Sequence, residues 1–181
     1  MKYKIFTILM LVSLLYGCDS KRDAQRSIIP RPSIAYPDEN LCFSINNKTR
    51  IIIQTDDSAI GAVVDTFSIW LSQKSGFTLA KTKLENQEDL ANSILVSTFQ
   101  ADTAIGDEGY RLRVSPEQVT IQATSYKGIF YAIQSLKQMT PPEVFAGTSN
   151  KIEWPSTLVI DKPFYRWRGM HLDVSRHFFP V

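Results

Sequence analysis

The chain contains few of the residues that build metal centres and redox sites. Only two cysteines and two histidines occur among its 181 residues, and their spacing is not that of a zinc site. Excess charge is also scarce, because Lys2 and Lys4 are the only charges before Cys18 and the remaining 18 basic residues balance 18 acidic ones. The net charge of +2 for the whole chain falls to zero without the segment before Cys18, and because a neutral protein without a basic patch does not attract nucleic acid, we expect no nucleic-acid partner. We expect no metal and no cofactor.

The chain also lacks an apolar run long enough for a typical membrane-spanning helix. Ile5–Tyr16 follows a short basic start and is shorter than the roughly 20 residues that a spanning helix needs, which is typical of a targeting segment. It ends in Leu15-Tyr16-Gly17-Cys18, which resembles a bacterial lipobox. We therefore expect residues 1–17 to be a lipoprotein signal peptide. A lipid on Cys18 would hold the protein on a membrane of the bacterial cell envelope, on the periplasmic side or at the cell surface. An ordinary secretory signal with a chance cysteine is the alternative.

The second cysteine, Cys42, lies in a short strand pattern at Leu41–Ile45. If Cys18 carries lipid, Cys42 has no partner in this chain for a disulfide. Free cysteine is among the most frequently buried residue types. We therefore predict that Cys42 is buried and inert.

The remainder of the chain separates into a polar tether at 18–29, a folded domain at 30–163 and a distinct tail at 164–181. Hydrophobic periodicity predicts strands and two amphipathic helices in the folded domain. Its elements are a strand at Arg50–Gln54, a helix from Ile60 to near Gly76, strands at Phe77–Ala80 and Ser93–Phe99, a hairpin of Gly109–Ser115 with Val119–Thr124, a helix at Ile129–Met139 and a strand at Glu153–Ile160. This pattern predicts an α+β domain, in which two helices cover one face of an antiparallel sheet.

The tail, Trp167–Val181, predicts a strand that ends in a polar cluster. Met170, Leu172, Val174 and Arg176 alternate with polar or small residues, so one face is apolar until it reaches a guanidinium. A charge at the carboxyl end of a buried strand is where a (β/α)₈ barrel has its active site. We predict that residues 164–181 begin such a barrel and that the chain contains only its first strand.

Four stretches resemble the family 20 glycoside hydrolases, the β-N-acetylhexosaminidases. They are the tail WRGMHLDVSRHFF, the phrase IIPRP at Ile28–Pro32, the phrase GDEGYRLRVSPEQVTIQA at Gly106–Ala123 and the phrase GIFYAIQSLKQM at Gly128–Met139. The resemblance implies an α+β domain before a catalytic barrel. It also implies retaining, substrate-assisted hydrolysis of terminal β-linked N-acetylglucosamine or N-acetylgalactosamine from glycans. The family's catalytic Asp-Glu pair follows the fourth barrel strand, so we expect this chain to be an N-terminal part that is inactive alone.

The resemblance assigns roles to several tail residues. Arg176 matches the family arginine that hydrogen-bonds the hydroxyls of the terminal sugar, while Asp173 and His177 match polar neighbours that we expect to support it. Arg168 matches an arginine that we interpret as structural, and Trp167 is expected to pack between the domains.

The phrase Gly106-Asp107-Glu108 is similar to the family's catalytic Gly-Asp-Glu. It lies more than fifty residues before the predicted barrel, at the start of a hairpin strand. We therefore interpret it as a turn.

Two alternatives remain open. One is a sugar hydrolase of another family with a similar preceding domain, such as the α-glucuronidases or the family 84 hexosaminidases. The other is a lipid-anchored, non-catalytic module in glycan binding or assembly.

Overall fold

The computed structural model describes residues 27–84 and 90–171, excepting the side chains of residues 38–40. Seven strands and three helices occur in these residues. They are β1 (Ile34–Ser44), β2 (Arg50–Gln54), α1 (Ser58–Ser75), β3 (Ala80–Lys83), β4 (Ser93–Ser97), β5 (Tyr110–Val114), β6 (Gln118–Gln122), α2 (Tyr126–Met139), α3 (Pro142–Phe145) and β7 (Glu153–Asp161). A 3₁₀ turn at Thr103–Ile105 precedes β5.

The strands form one mixed sheet in the order β1-β7-β5-β6-β4-β2-β3. The pairs β1-β7, β7-β5 and β5-β6 are antiparallel, whereas the pairs β6-β4, β4-β2 and β2-β3 are parallel. The α+β class is confirmed, but the prediction of an antiparallel sheet is wrong for half of it. The reason is that α1 connects β2 to β3 as a crossover, which returns the chain to the same end of the sheet and makes the two strands parallel.

Helix α1 follows the predicted pattern. Ile60, Val64, Phe67 and Leu71 recur at helical spacing and are buried. The Asp57 carboxylate accepts a hydrogen bond from the Ala59 N–H at 2.8 Å and so caps the first turn. Gly76 ends the helix in the left-handed conformation at φ +76°. Helix α2 contacts α1 and lies over β5 and β6.

The predicted hairpin of β5 and β6 is confirmed, and its side chains alternate as expected. Tyr110, Leu112 and Val114 are buried, whereas Arg111 and Arg113 are exposed. Leu112 pairs with Ile121 across the two strands. The hairpin therefore has one face in the core and one polar face.

Trp154 on β7 is a centre of the core. Its side chain is fully buried and stacks on Phe43 of β1 with ring centroids 6.3 Å apart. The indole N–H donates a hydrogen bond to the Thr140 hydroxyl at 2.9 Å. Because Phe43 faces the core, the adjacent Cys42 points to the other face of β1 and is exposed. The prediction of a buried Cys42 is therefore wrong.

Several element boundaries differ from the predicted ones. β3 begins at Ala80, where the predicted strand Phe77–Ala80 ends. β1 begins at Ile34 and includes Pro37, which is tolerated because β1 lies at the edge of the sheet. Ile28, within the predicted tether, is buried in the core.

The C-terminal segment, defined here as residues 162–171, leaves β7 and forms no strand or helix. The predicted barrel strand is therefore not observed in its described part, residues 167–171, and its remainder lies outside the described residues. Trp167 and Met170 are both 87% exposed. Among the helices that the structure describes, none is long and apolar enough to cross a membrane.

Candidate functional site

The residues predicted to carry chemistry or lipid lie outside the described part of the chain. These residues are Cys18, Asp173, Arg176 and His177. Their roles therefore remain predictions. The described residues closest in sequence to Asp173, Arg176 and His177 are those of the C-terminal segment, and the structure shows how that segment packs against the domain.

Arg168 anchors the C-terminal segment to the domain. Its Nη1 donates to Glu108 Oε2, and its Nη2 donates to both carboxylate oxygens, each at 3.1 Å. Nη1 also donates to the Tyr165 carbonyl at 2.7 Å, and Nη2 to the Tyr131 hydroxyl at 3.3 Å. These four residues are called the Arg168 clamp below. A two-pronged pair of this kind fixes the orientation of both side chains as well as their distance.

The clamp is ionic and partly open to solvent. The hydrogen bond from Arg168 lowers the pKa of the Glu108 carboxyl, and the same bond raises the pKa of the guanidinium. Both groups therefore remain charged at neutral pH. The Arg168 and Glu108 side chains are 39% and 29% exposed, so water and salt screen their attraction. The clamp contributes geometry more than stability.

Glu108 is positioned by a turn that is bonded to the start of α2. The Thr124 hydroxyl donates to the Gly106 carbonyl at 3.1 Å, and the Ser125 hydroxyl donates to the Asp107 carbonyl at 2.7 Å. The Ser125 oxygen also accepts from the Lys127 N–H at 3.1 Å and so caps α2. Ser125 therefore begins the helix and, together with Thr124, holds the Glu108 turn.

Gly128 allows the turn and the helix to approach closely. A β-carbon on Gly128 would lie 2.2 Å from the Gly109 carbonyl oxygen and 2.6 Å from the Ala123 side chain. Neither distance is compatible with any larger residue, so the first turn of α2 packs directly on the backbone before β5. Tyr131 follows Gly128 by three residues, nearly one helical turn, and reaches the Arg168 clamp from the helix.

Beside the clamp lies a groove of about 460 Å³, between the N-terminal residues 28–33, helix α2 and the C-terminal segment. The Tyr110 hydroxyl lies 2.6 Å from the Ser135 hydroxyl, and burial raises the pKa of Tyr110 to about 12. The Gln138 amide group bonds both the N–H and the carbonyl of Ile29. These polar groups bond one another, which is typical of a packing surface rather than a reactive centre.

The phrase Gly106-Asp107-Glu108 therefore occupies a turn before a hairpin strand, as predicted. Sequence reasoning nevertheless missed that Glu108 pairs with Arg168. Both residues fall within the stretches that carry the family resemblance, but sixty residues separate them and no spacing rule connects them.

Comparison with known proteins identifies the family. The family description "Glycosyl hydrolase family 20, domain 2" matches residues 25–161. The chain belongs to glycosyl hydrolase family 20. A β-N-acetylhexosaminidase of Cellulomonas fimi is 31% identical over 155 residues, which cover 86% of this chain and 30% of that protein.

Two solved structures share the fold. The GH20 β-N-acetylhexosaminidase of Streptomyces coelicolor A3(2) superposes with a TM-score of 0.67 at 28% identity, covering 87% of this chain and 30% of that one. A mutant β-hexosaminidase of Streptomyces plicatus in complex with the product GlcNAc gives a TM-score of 0.66, with the same identity and coverage. The chain thus spans about a third of the length of these relatives.

Proposed function

We propose that this chain is the N-terminal part of a β-N-acetylhexosaminidase that removes terminal β-linked N-acetylglucosamine or N-acetylgalactosamine from glycans. The observation that carries the proposal is the family 20 match over residues 25–161. The names of the relatives support it, because those from Cellulomonas fimi and Porphyromonas gingivalis are both hexosaminidases. Binding of GlcNAc by the Streptomyces plicatus enzyme supports an N-acetylhexosamine as the ligand.

The reaction that we propose is the substrate-assisted one of the family. The 2-acetamido oxygen of the substrate attacks the anomeric carbon, and a glutamic acid protonates the leaving oxygen. An adjacent aspartate steadies the acetamido nitrogen. This Asp-Glu pair is expected beyond Val181, and Glu108 has no part in it, because its carboxylate is ionised and paired with Arg168.

Within this chain, Arg176 is proposed to grip the terminal sugar. A guanidinium offers a fixed fork of donors, so it can bond two neighbouring hydroxyls at once. Asp173 and His177 are proposed to support it from the same strand end. The warrant for all three is the match of the sequence Asp173-Val174-Ser175-Arg176-His177 to the family pattern.

The test uses the whole reading frame, which comprises residues 1–181 and the coding sequence beyond Val181. Its product, here called the extended protein, is assayed on a chromogenic N-acetyl-β-glucosaminide and on the matched β-glucoside. Only the first should be cleaved, since the acetamido group is the nucleophile, and the 181-residue chain should cleave neither. A stop codon directly after Val181, or a folded extended protein without turnover, would contradict the proposal. Equal cleavage of both substrates would contradict the substrate-assisted reaction.

We also propose that Cys18 is the lipidated N-terminus of the mature protein. The support is the basic start, the apolar run and the Leu15-Tyr16-Gly17-Cys18 order. Replacing Cys18 by serine should move the protein from the membrane fraction to the soluble fraction of the envelope. The idea is wrong if parent and variant partition alike into a detergent phase.

A further inference from the structure

The Arg168 clamp connects two parts of the chain that the proposed function treats separately. Glu108 belongs to the α+β domain, and Arg168 precedes the proposed sugar-binding Arg176 by eight residues. Eight residues of extended chain span at most about 26–29 Å. The place where the domain holds Arg168 therefore limits where Arg176 can lie.

The domain side of the clamp is held by hydrogen bonds and by close backbone packing. The Thr124 and Ser125 hydroxyls hold the carbonyls of the Glu108 turn at 3.1 and 2.7 Å. Gly128 allows the first turn of α2 to pack directly on the Gly109 carbonyl, and Gly109 allows the turn itself to close against Ile105. The Glu108 carboxylate therefore has a fixed position relative to the core.

The C-terminal side is held mainly by directional bonds. Phe164 and Trp167 are 89% and 87% exposed, so their burial cannot fix the segment on this domain. Arg168 instead bonds both carboxylate oxygens of Glu108, and it also bonds the Tyr165 carbonyl of its own segment at 2.7 Å. One guanidinium thus ties the segment's backbone to the domain.

We propose that Glu108 is a positioning residue for the hydrolase reaction: it fixes Arg168 and thereby sets the approach of the segment that carries Arg176 to the sugar. This inference rests on the proposed function. Tyr131 assists, since its hydroxyl accepts from the same guanidinium nitrogen at 3.3 Å. Small displacements of a substrate-binding group have large kinetic effects, on the order of 10²-fold for 1 Å.

The experiment uses the extended protein. Glu108→Gln keeps the size of the side chain and removes the charge that orients Arg168, and it should lower kcat/KM by about ten- to hundredfold. Tyr131→Phe should lower it by about two- to fivefold, because only one long hydrogen bond is lost. Asp107→Asn is the matched control: it removes a carboxylate from the same turn, but the Asp107 side chain is exposed and contributes nothing to the clamp. It should leave kcat/KM within twofold of the parent.

A second background, the Arg176→Ala protein, distinguishes a positioning role of Glu108 from a merely structural one. In an Arg176→Ala protein, Glu108→Gln should lower kcat/KM by less than twofold more, because the group that Glu108 positions is absent. A structural defect would lower activity by the same factor in both backgrounds. The melting temperatures of Glu108→Gln and Asp107→Asn should agree within a few degrees, since the clamp is screened by solvent.

The outcomes distinguish the two claims. An extended protein that is folded but inactive overturns the proposed function and this inference with it. An active parent in which Glu108→Gln matches Asp107→Asn overturns the positioning role alone. Equal losses in the parent and Arg176→Ala backgrounds do the same.

Discussion

Two tryptophans show how differently the two regions of this molecule are held. Trp154, in β7, is fully buried, stacks on Phe43 and donates its indole N–H to Thr140. Trp167, thirteen residues later in the C-terminal segment, is 87% exposed. Trp154 belongs to a sheet in which the pairing of β7 with β1 and β5 fixes the residues that lie next to it. Trp167 lies next to Arg168, which ties its segment to Glu108.

The comparison indicates that the α+β domain is stabilised by burial and the C-terminal segment is positioned by polar bonds. Burial of large side chains stabilises a fold by several kcal/mol, whereas partly exposed ion pairs contribute little. Changes in the domain should therefore lower stability, and changes in the C-terminal segment should affect geometry and activity.

The largest expected effect tests the tryptophan comparison itself. Trp154→Ala removes a packed ring and leaves the Thr140 hydroxyl without its donor, so the free energy of unfolding should fall by about 3–5 kcal/mol. Trp167→Ala should change it by less than about 0.5 kcal/mol. Denaturant unfolding of both variants measures the difference. Similar losses would show that the C-terminal segment is also stabilised by burial.

The next effect is the pH dependence of the domain interior. Because burial raises the pKa of Tyr110 to about 12, the folded state keeps its proton where the unfolded chain loses it, above about pH 10. Stability should be unaffected by this group below pH 10 and should fall between pH 10 and 12, by about 2–3 kcal/mol in total. Tyr110→Phe should lose this decline, as measured by unfolding at successive pH values. An unchanged slope in the variant would exclude Tyr110 as its source.

Substitution of Gly128 tests the contact between the Glu108 turn and helix α2, at the junction of the two regions. Gly128→Ala places a methyl group 2.2 Å from the Gly109 carbonyl oxygen, so stability should fall by about 1–3 kcal/mol. Gly61→Ala is the matched control, because its helical β-carbon meets no atom within 4 Å. That variant should gain up to about 1 kcal/mol. Thermal unfolding measures both, and a stable Gly128→Ala protein would mean that the turn and α2 can separate.

The smallest effect on stability should come from removing the C-terminal segment. A chain that ends at Asp161 loses the exposed Phe164, Tyr165 and Trp167. It should keep its free energy of unfolding within about 1 kcal/mol and show less self-association, because exposed apolar groups promote association. Sedimentation velocity compares the two chains. Equal association would place the contact surface elsewhere on the domain.

The sequence predicts the elements whose patterns are local. Helix α1 has its cap at Asp57 and its stop at Gly76, and the hairpin of β5 and β6 has strict alternation of apolar and polar residues. Strand direction depends on the connections between strands, although the uninterrupted apolar run within Arg50–Gln54 is itself typical of a strand in a parallel sheet. The helix between that strand and β3 was the signal for a parallel pair, and the antiparallel prediction overlooked it.

The candidate site likewise has local features that the sequence predicts and a non-local contact that it does not. The turn at Gly106–Gly109 was predictable from its residue types, but the partner of Glu108 was not. Residues sixty positions apart that form an ion pair leave no periodic pattern in the sequence. The exposure of Cys42 was missed for a simpler reason. Residue type suggested burial, although its position next to Phe43 in an alternating strand places it on the opposite face.

We propose that this chain supplies the sugar-binding arginine of a β-N-acetylhexosaminidase, and the kcat/KM of Arg176 variants in the extended protein decides whether it does. A charged hydrogen bond to a sugar hydroxyl contributes about 1.5–3 kcal/mol. Loss of a two-pronged grip should therefore lower kcat/KM by roughly two to four orders of magnitude. Arg176→Lys keeps the charge but loses the fork of donors, so its kcat/KM should fall nearly as far as that of Arg176→Ala. A folded Arg176→Ala protein with kcat/KM within about threefold of the parent, a difference of less than 1 kcal/mol, would contradict the account.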